Sequence, residues 1–162
     1  MQIIKDRNIS NDDWVIAREL DDAAPIPEGN TILPFSFWLV NREGLLKQKS
    51  SHAVWIDGDI ETEELSSDLN HLSIIALDFP VFKDGRSYTH ARMLRDRYNF
   101  EGELRAIGNV LRDQYFFMLR CGIDCFELTE GENAEDALKS FNDFTVRYQA
   151  AADDAVPIYK LR

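Results

Sequence analysis

Hydrophobic and polar positions along this chain form short apolar runs separated by longer segments in which apolar residues recur at helical spacing. The runs at residues 73–78, 103–107 and 124–128 have the length and composition of strands buried on both faces. An amphipathic segment stands between each pair of runs. Parallel neighbours cannot be joined by a tight hairpin, so this pattern predicts a parallel sheet with right-handed crossover helices.

Both crossover helices can be given bounds from their capping residues. The first begins at Ser87 after the polar loop 83–86, and its buried face carries Tyr88, Ala91, Leu94 and Tyr98. The second begins at Asn109 and ends at Gly122, with a buried face of Val110, Leu111, Tyr115, Met118 and Cys121.

The remaining elements extend this unit on both sides. Residues 1–5 and 14–20 read as an edge hairpin around a polar turn at 8–13, and residues 21–30 form a loop rich in Pro and Gly. Further strands are predicted at 31–34 and 53–57, and helices at 36–48, at 61–72 and after a capping box at Asn133. The second of these helices is short and acidic.

This order predicts an α/β fold with a mostly parallel sheet of about five βα units and an N-terminal strand pair. An open doubly wound sheet is the leading arrangement, and a partial (β/α) barrel is the alternative because the units follow one another with little sign of a chain reversal. With 44% hydrophobic residues, the 162 residues suit one domain, with an N-terminal part at 1–30 and a C-terminal tail at 150–162.

Charge and hydropathy narrow the classes of partner. A net charge of -11 argues against nucleic acid or an anionic membrane surface, since Lys and Arg lead binding to both. No run of about eighteen apolar residues occurs, and the N-terminus turns polar before a signal-peptide core can form. We therefore expect a cytoplasmic protein. Residues 79–120 nevertheless contain eight basic and five acidic residues, which suggests a small anionic ligand or an acidic partner surface.

The sequence lacks the motifs of the common cofactors. The chain contains no GxGxxG motif for a dinucleotide such as NAD, no GxxxxGK[ST] motif for ATP and no GxSxG motif of a hydrolase. Cys121 and Cys125 are not a CxxC pair and cannot alone hold an iron–sulfur cluster, so we interpret them as reduced core cysteines. The three His residues show no metal-ligand spacing.

Candidate ligand residues come from two positions in the predicted fold. Ligands of parallel α/β folds gather at the carboxyl ends of the strands, which selects Asp78 and the loop Asp84, Gly85 and Arg86. At the helix start, Arg86 and free backbone N–H groups would hold an oxyanion. In the competing interpretation the loop is a turn in which Gly85 supplies a positive φ and Arg86 is solvated.

Polar residues on apolar faces supply the other candidates. Arg95 and Gln114 fall inside the apolar arcs of their helices, and Arg105 lies within a strand. A buried guanidinium needs an anionic partner and a buried amide needs hydrogen-bond partners. These buried polar side chains would form a structural network, part of which could instead orient a ligand. The predicted members are Arg95, Arg105, Asp113, Gln114 and Glu127.

The segments FPVFKDGRSYTHARMLRDRY and GELRAIGNVLRDQYFFMLRCGIDCFEL resemble a bacterial family of unknown function, commonly described as putative oxidoreductases of sulfite reduction. The likeness is dense over residues 79–128 and looser upstream. The resemblance implies a role beside sulfite reductase or another sulfate-assimilation protein, with a small oxyanion as ligand. It offers no catalytic motif, so an accessory or interaction protein is the preferred hypothesis, and a small-anion-binding enzyme or oxidoreductase is the rival.

Overall fold

The computed structural model describes residues 2–48, 50–129, 131–153 and 156–160, and within them the chain forms one eight-stranded sheet. The longest strand, of eight residues, lies in the middle of the sheet. The strands are β1 (Gln2–Lys5), β2 (Asn8–Asn11), β3 (Val15–Ile16), β4 (Thr31–Pro34), β5 (His52–Ile56), β6 (Leu72–Phe79), β7 (Glu103–Gly108) and β8 (Cys125–Glu127).

Helices occupy most of the connections between the parallel strands. The α-helices of the described residues are α1 (Phe35–Leu45), α2 (Arg86–Asp96), α3 (Tyr115–Arg120) and α4 (Ala134–Ser140). Short 3-10 helices are found at Thr62–Leu65, Leu69–His71, Arg112–Gln114 and Ile158–Lys160. The predicted tail at 150–162 lies partly outside the described residues, at 154, 155, 161 and 162.

The strand order is β2-β1-β8-β7-β6-β5-β4-β3. Every pair from β3 to β8 is parallel, while β1 runs antiparallel to both β8 and β2. This confirms the predicted mostly parallel sheet with an N-terminal strand pair. A doubly wound sheet would reverse its strand order at a switch point, and the described sheet has no such reversal. Of the two predicted arrangements, the structure therefore has the partial barrel.

The connection between β2 and β3 shows how strongly the sheet curls. These strands are the two edges of the sheet, yet only residues 12–14 separate them. A flat sheet of this size would hold its edges about 33 Å apart, whereas four Cα steps span at most about 14 Å. The edges must therefore approach each other, and residues 12–14, here named the edge bridge, close the sheet into a barrel-like shape.

The outer face of the sheet holds the main hydrophobic core. Alternate strand residues such as Leu77, Leu104 and Phe126 point to this face, because successive side chains of a strand point to opposite sides. The four α-helices bury side chains in the same core, namely Phe37, Trp38, Ala91, Leu94, Tyr115, Met118 and Ala137, and Phe141 joins them just after α4. The helices thus cover one face only, as in a (β/α) barrel.

The inner face holds a smaller apolar cluster and the charged residues described below. Its buried members come from four parallel strands, and Trp14, Ile16 and Trp55 pack against them. The cluster consists of Ile32, Ala53, Ile74, Ala76 and Ile107. Because an eight-stranded barrel is only wide enough for its own side chains, charges on this face become enclosed once the sheet curls.

The N-terminal region differs from the sequence-based prediction. The segment at 8–13 is not a turn: its first four residues are β2, and the hairpin turn lies earlier, at Asp6 and Arg7, with φ of 50° and 60°. Of residues 14–20 only Val15–Ile16 is a strand, and it pairs with β4 at the opposite edge. Asp-Arg carries no Gly or Asn to mark a two-residue hairpin, so sequence pattern could not place it.

Several helix boundaries also differ. The acidic segment at 61–72 is two 3-10 helices instead of one α-helix, and the helix after the capping box at Asn133, α4, ends at Ser140. The first crossover helix begins at Arg86, because the hydroxyl of Ser87 donates a hydrogen bond of 2.6 Å to the Asp78 carbonyl instead of capping the helix. The second crossover becomes an α-helix only at Tyr115.

Candidate functional site

The loop at Asp84, Gly85 and Arg86 lies at the carboxyl edge, the edge at which β4 to β8 end, but carboxylates already occupy it. The Arg86 guanidinium donates to Asp84 through Nε at 3.0 Å and Nη2 at 2.7 Å, and it pairs through Nη1 with Asp59. The backbone N–H of Arg86 also donates to Asp84 Oδ1, at 3.2 Å. Gly85 precedes the helix with φ of -98°, so it does not supply the positive φ of the turn interpretation.

The electrostatics of this loop follow from the pairing. Hydrogen bonds from the Arg86 side chain and backbone lower the pKa of Asp84 to about 2, so Asp84 stays ionised at neutral pH. The two carboxylates in turn raise the pKa of Arg86 above its ordinary value. Arg86 is therefore paired with two carboxylates, one from its own loop and one from the loop after β5.

Asp78 lies on the inner face at the same edge and pairs with Arg18. Arg18 Nη1 is 2.8 Å from Asp78 Oδ1, and its guanidinium carbon lies 5.8 Å from the centre of the Trp55 ring. Glu127, at the end of β8, shares this end of the barrel. Burial raises its pKa, and the charges of Arg18 and Arg105 only partly offset the effect. This end of the interior thus holds the Arg18–Asp78 ion pair and the Glu127 carboxyl group, whose pKa is raised.

Arg105 forms a second ion-pair cluster deeper in the barrel, where it is 1% exposed. Its Nε and Nη2 each lie 2.7 Å from Glu103 Oε1, and its Nη1 pairs with Asp12 of the edge bridge. Lys5 Nζ lies 2.7 Å from the other Glu103 oxygen. Burial opposes ionisation of Glu103, but the contacts with Lys5 and Arg105 outweigh it and lower its pKa. Arg105, Glu103 and Asp12 therefore form a buried cluster, and the half-exposed Lys5 adds a second cation at its edge.

Arg95 lies at the opposite edge, where the parallel strands begin. Its Nη2 donates to Asp124 at 2.6 Å, and its other nitrogens donate to the carbonyls of Gly122, Gly102 and Phe100. The side chain is 16% exposed and ties α2 to the starts of β7 and β8. All four contacts are to the loops that lead into β7 and β8, so Arg95 holds α2 to this edge of the sheet.

Gln114 and Asp113 lie in the 3-10 helix that leads from β7 into α3, on the outer side of the sheet. Gln114 is buried as predicted, accepts from the Leu111 N–H at 3.0 Å and donates to the Tyr88 hydroxyl at 3.2 Å. Asp113 instead lines an open groove beside α3. The five-membered network predicted from sequence is therefore divided among separate places. Within it, Arg105 forms its ion pairs with Glu103 and Asp12, neither of which was a predicted member, and none with Glu127.

Sequence reasoning missed the residues that complete the interior clusters. Asp12 and Arg18 come from the N-terminal segment, whose strand pairing was predicted differently, and no local spacing links them to Arg105 or Asp78. Glu103 did carry a signal, because positions two apart in a strand share a face and Glu103 stands two before Arg105.

Two open cavities adjoin these clusters on the inner side. One, of about 400 Å³, is bordered by Ser73, Glu103 and Arg105, and the other, of about 540 Å³, by Val15, Arg18 and Glu127. Asp12 and Trp14 of the edge bridge border both cavities. The first cavity is lined mainly by polar groups, several of them already paired, and the second mainly by apolar side chains such as Trp14 and Val15.

Neither thiol has the features of a redox or metal site. Cys121 and Cys125 are free and buried, which confirms their prediction as reduced core cysteines. Burial raises the pKa of Cys121 to about 11 and raises that of Cys125 further, so neither supplies a thiolate at neutral pH. Among the described residues, no three His, Cys, Asp or Glu side chains come together as metal ligands.

The comparisons with known proteins identify a bacterial family of unknown function. A family model described as "Bacterial protein of unknown function (DUF934)" matches residues 53–159. The chain belongs to this family. No curated protein and no solved structure matches the chain significantly. The family match starts within β5, so it leaves out β1 to β4 and α1. No helix within the described ranges is long and apolar enough to cross a bilayer.

Proposed function

We propose that this protein is a cytoplasmic accessory or interaction protein of assimilatory sulfite reduction, which binds the reductase or another sulfate-assimilation protein. The pathway rests on the family resemblance of residues 79–128. The choice of an interaction role over an enzyme of its own rests on one observation: the Arg86 guanidinium at the carboxyl edge is bonded to the carboxylates of Asp84 and Asp59.

That pairing weakens the case for a small-anion-binding enzyme or an oxidoreductase. An oxyanion such as sulfite would have to displace a carboxylate from Arg86 and would then face the charges of both Asp84 and Asp59. Like charges at such distances repel by about 1 kcal/mol even in bulk water and by more near a protein surface. Buried, protonated thiols likewise do not favour a redox step at Cys121 or Cys125.

Deletion of the gene tests the pathway. Growth with sulfate or sulfite as the sulfur source should slow, while growth on cysteine should not change, because cysteine enters below the reductive steps. A tagged copy of the protein should retain a reductase subunit through washing, and a tagged unrelated acidic protein is the control. An equal defect on all three sulfur sources would reject the pathway.

Calorimetric titration with sulfite, sulfate and phosphate separates the two roles. An interaction protein should give no heat with any of these anions. In the rival case the wild type would bind, and Arg86→Ala would weaken binding by about 1.5 to 3 kcal/mol, the range of a hydrogen bond to a charged group. Arg112→Ala, which removes another exposed arginine paired with carboxylates, is the matched control.

A further inference from the structure

The larger of the two inner cavities has the position and the size of a ligand site. Here named the mouth cavity, it encloses about 540 Å³ and is lined by Trp14, Val15, Ile16, Arg18 and Glu127, together with Asp12 and Asp13. Ligand sites usually measure about 300 to 1,000 Å³. Glu127 ends β8, so the cavity lies toward the carboxyl ends of the parallel strands, which is where (β/α) barrels bind their ligands.

Arg18 presents a guanidinium to the mouth cavity that is oriented but only partly paired. Its Nη1 donates to Asp78 Oδ1 at 2.8 Å, and its guanidinium carbon lies 5.8 Å from the centre of the Trp55 ring. The other N–H groups of Arg18 have no acceptor among the described residues, and the side chain is 43% exposed. A ligand carboxylate can therefore bind Arg18 beside Asp78 without displacing it.

Glu127 brings a carboxyl group to the same cavity without an ion-pair partner. It accepts a backbone hydrogen bond from Gly108, and within the described ranges no cation forms an ion pair with it. Burial raises its pKa, and the charges of Arg18 and Arg105 offset that effect only in part. A ligand ammonium group in contact with Glu127 would supply the missing counter-charge.

Two further carboxylates add to the negative charge at the cavity. Asp12 pairs with Arg105, so its charge is compensated. Asp13 accepts a hydrogen bond of 3.0 Å from the Asn30 amide and, in the part of the chain that the structure describes, forms no ion pair. The walls of the mouth cavity therefore hold one guanidinium among three carboxyl groups.

Charges of both signs select the kind of molecule that the cavity suits. A simple anion at Arg18 would face the carboxyl groups of Asp78 and Glu127, and a simple cation at Glu127 would face Arg18. A molecule with both a carboxylate and an ammonium group places an opposite charge against each residue, and its net charge is zero. The indole of Trp14 and the side chain of Val15 leave an apolar wall for the rest of the molecule.

We propose that the mouth cavity binds a free α-amino acid with an apolar or aromatic side chain. The carboxylate of the ligand accepts hydrogen bonds from Arg18, its ammonium group donates to Glu127, and its side chain packs against Trp14. This site adds a small-molecule ligand to the protein and does not depend on the proposed function in sulfite reduction.

Titration of the full-length protein with the standard amino acids, one at a time, tests the site. Trp14 lies at the cavity, so binding should change the tryptophan emission, and calorimetry at pH 7 measures the affinity. We expect saturable binding of amino acids with apolar or aromatic side chains. The amide of the best ligand lacks the carboxylate, and its N-acetyl derivative lacks the ammonium group. Each should bind about tenfold or more weakly, the scale of a hydrogen bond to a charged group.

Two conservative variants assign each end of the ligand to its residue. Glu127→Gln should weaken binding of the amino acid about tenfold or more but leave binding of the N-acetyl derivative unchanged, because that compound has no ammonium group. Arg18→Lys keeps a positive charge beside Asp78 but loses the planar fork, so it should weaken binding of the amino acid and not of the amide. A merely structural role of either residue would weaken all these ligands alike.

Matched controls come from exposed side chains on the outer side of the protein. Arg112 is 41% exposed and also pairs with carboxylates, so Arg112→Lys repeats the arginine change away from the cavity. Glu135→Gln repeats the carboxylate change on the exposed surface of α4. Both should bind the amino acid like the wild type, and circular dichroism melts should show that all four variants fold.

Three results would overturn the site. The first is that no amino acid binds saturably. The second is an amide or N-acetyl derivative that binds as tightly as the amino acid itself, because the two charges of the ligand would then not be recognised together. The third is equal binding by the mouth-cavity variants and the control variants.

Discussion

Arg105 carries its charge into the interior of the barrel, where solvent cannot compensate it. Glu103 and Asp12 pair with the guanidinium, and Lys5 pairs with the other oxygen of Glu103. A buried ion pair adds little net stability, because desolvation of its charges cancels much of their attraction. Removal of one member is nevertheless expensive, since the remaining charges stay buried without a partner. The complete cluster therefore adds little to the stability of the fold, but removal of Arg105 should lower that stability strongly.

Arg105→Ala should lower the free energy of unfolding by about 3 to 5 kcal/mol, because Glu103 and Asp12 lose their shared cation inside the protein. Urea denaturation at pH 7, followed by circular dichroism, measures the change.

Arg112→Ala is the control for this substitution. Arg112 also pairs with two carboxylates, Asp136 at 3.1 Å and Asp143 at 3.3 Å, but all three side chains are exposed. Its loss should cost about 0 to 1 kcal/mol. If the two variants lost equal stability, the interior cluster would not be isolated from water as the structure has it.

At the level of whole elements, the ends of β6 and β7 approach each other so closely that one position requires glycine. Gly108 ends β7 with φ of 94°, a backbone region that side chains disfavour. A Cβ at this position would lie 2.7 Å from Asp78 Oδ1 and 2.8 Å from the Phe79 carbonyl oxygen. The absence of a side chain thus lets the paired Asp78 stand beside the turn that leaves β7.

Gly108→Ala should destabilise the protein by about 2 to 5 kcal/mol, the sum of the backbone cost and the overpacking of a filled site. Thermal and urea melts would measure this loss. The same variant should also disturb the Arg18–Asp78 pair, because the methyl group displaces the Asp78 carboxylate.

Gly29→Ala separates the two contributions. Gly29 also has a positive φ, of 85°, but a Cβ there would meet nothing within 4 Å. We expect this variant to show the backbone cost alone, about 1 to 2 kcal/mol. A loss at Gly108 no larger than the loss at Gly29 would show that Asp78 is free to move aside.

For the molecule as a whole, the N-terminal strands complete the barrel that the family-matched region begins. β1 pairs with β8, β4 pairs with β5, and the edge bridge supplies Asp12 to Arg105. A fragment of residues 53–159 would leave both outer parallel strands without one neighbour and would uncover the inner apolar cluster. Unpaired edges and exposed apolar surface favour aggregation over folding.

We therefore expect fragment 53–159 to lack a cooperative melt and to bind a hydrophobic dye, while the full chain unfolds in one transition, as the predicted single domain requires. Co-expression of residues 1–52 with the fragment is the complementary experiment, and it should restore the transition in part. A fragment that melts cooperatively by itself would contradict the closure of the barrel by the N-terminal strands.

The sequence by itself determined which segments are strands and helices in the central unit. The apolar runs at 73–78, 103–107 and 124–128 fall on β6, β7 and β8, because burial on both faces leaves a local signature. Burial of Arg105 and Gln114 was predicted for the same reason, since their apolar neighbours fix their faces. Asp84 and Arg86 also come together as sequence neighbours, at the start of α2.

Only the tertiary structure decided how the sheet closes and what its charges contact. The sequence left a doubly wound sheet and a partial barrel open, because the direction in which a sheet curls depends on contacts between its distant edges. The pairs of Arg105 with Asp12 and of Asp78 with Arg18 likewise join residues far apart in the chain, and no spacing encodes them. Local patterns record which side of an element is buried; they do not record which other element covers it.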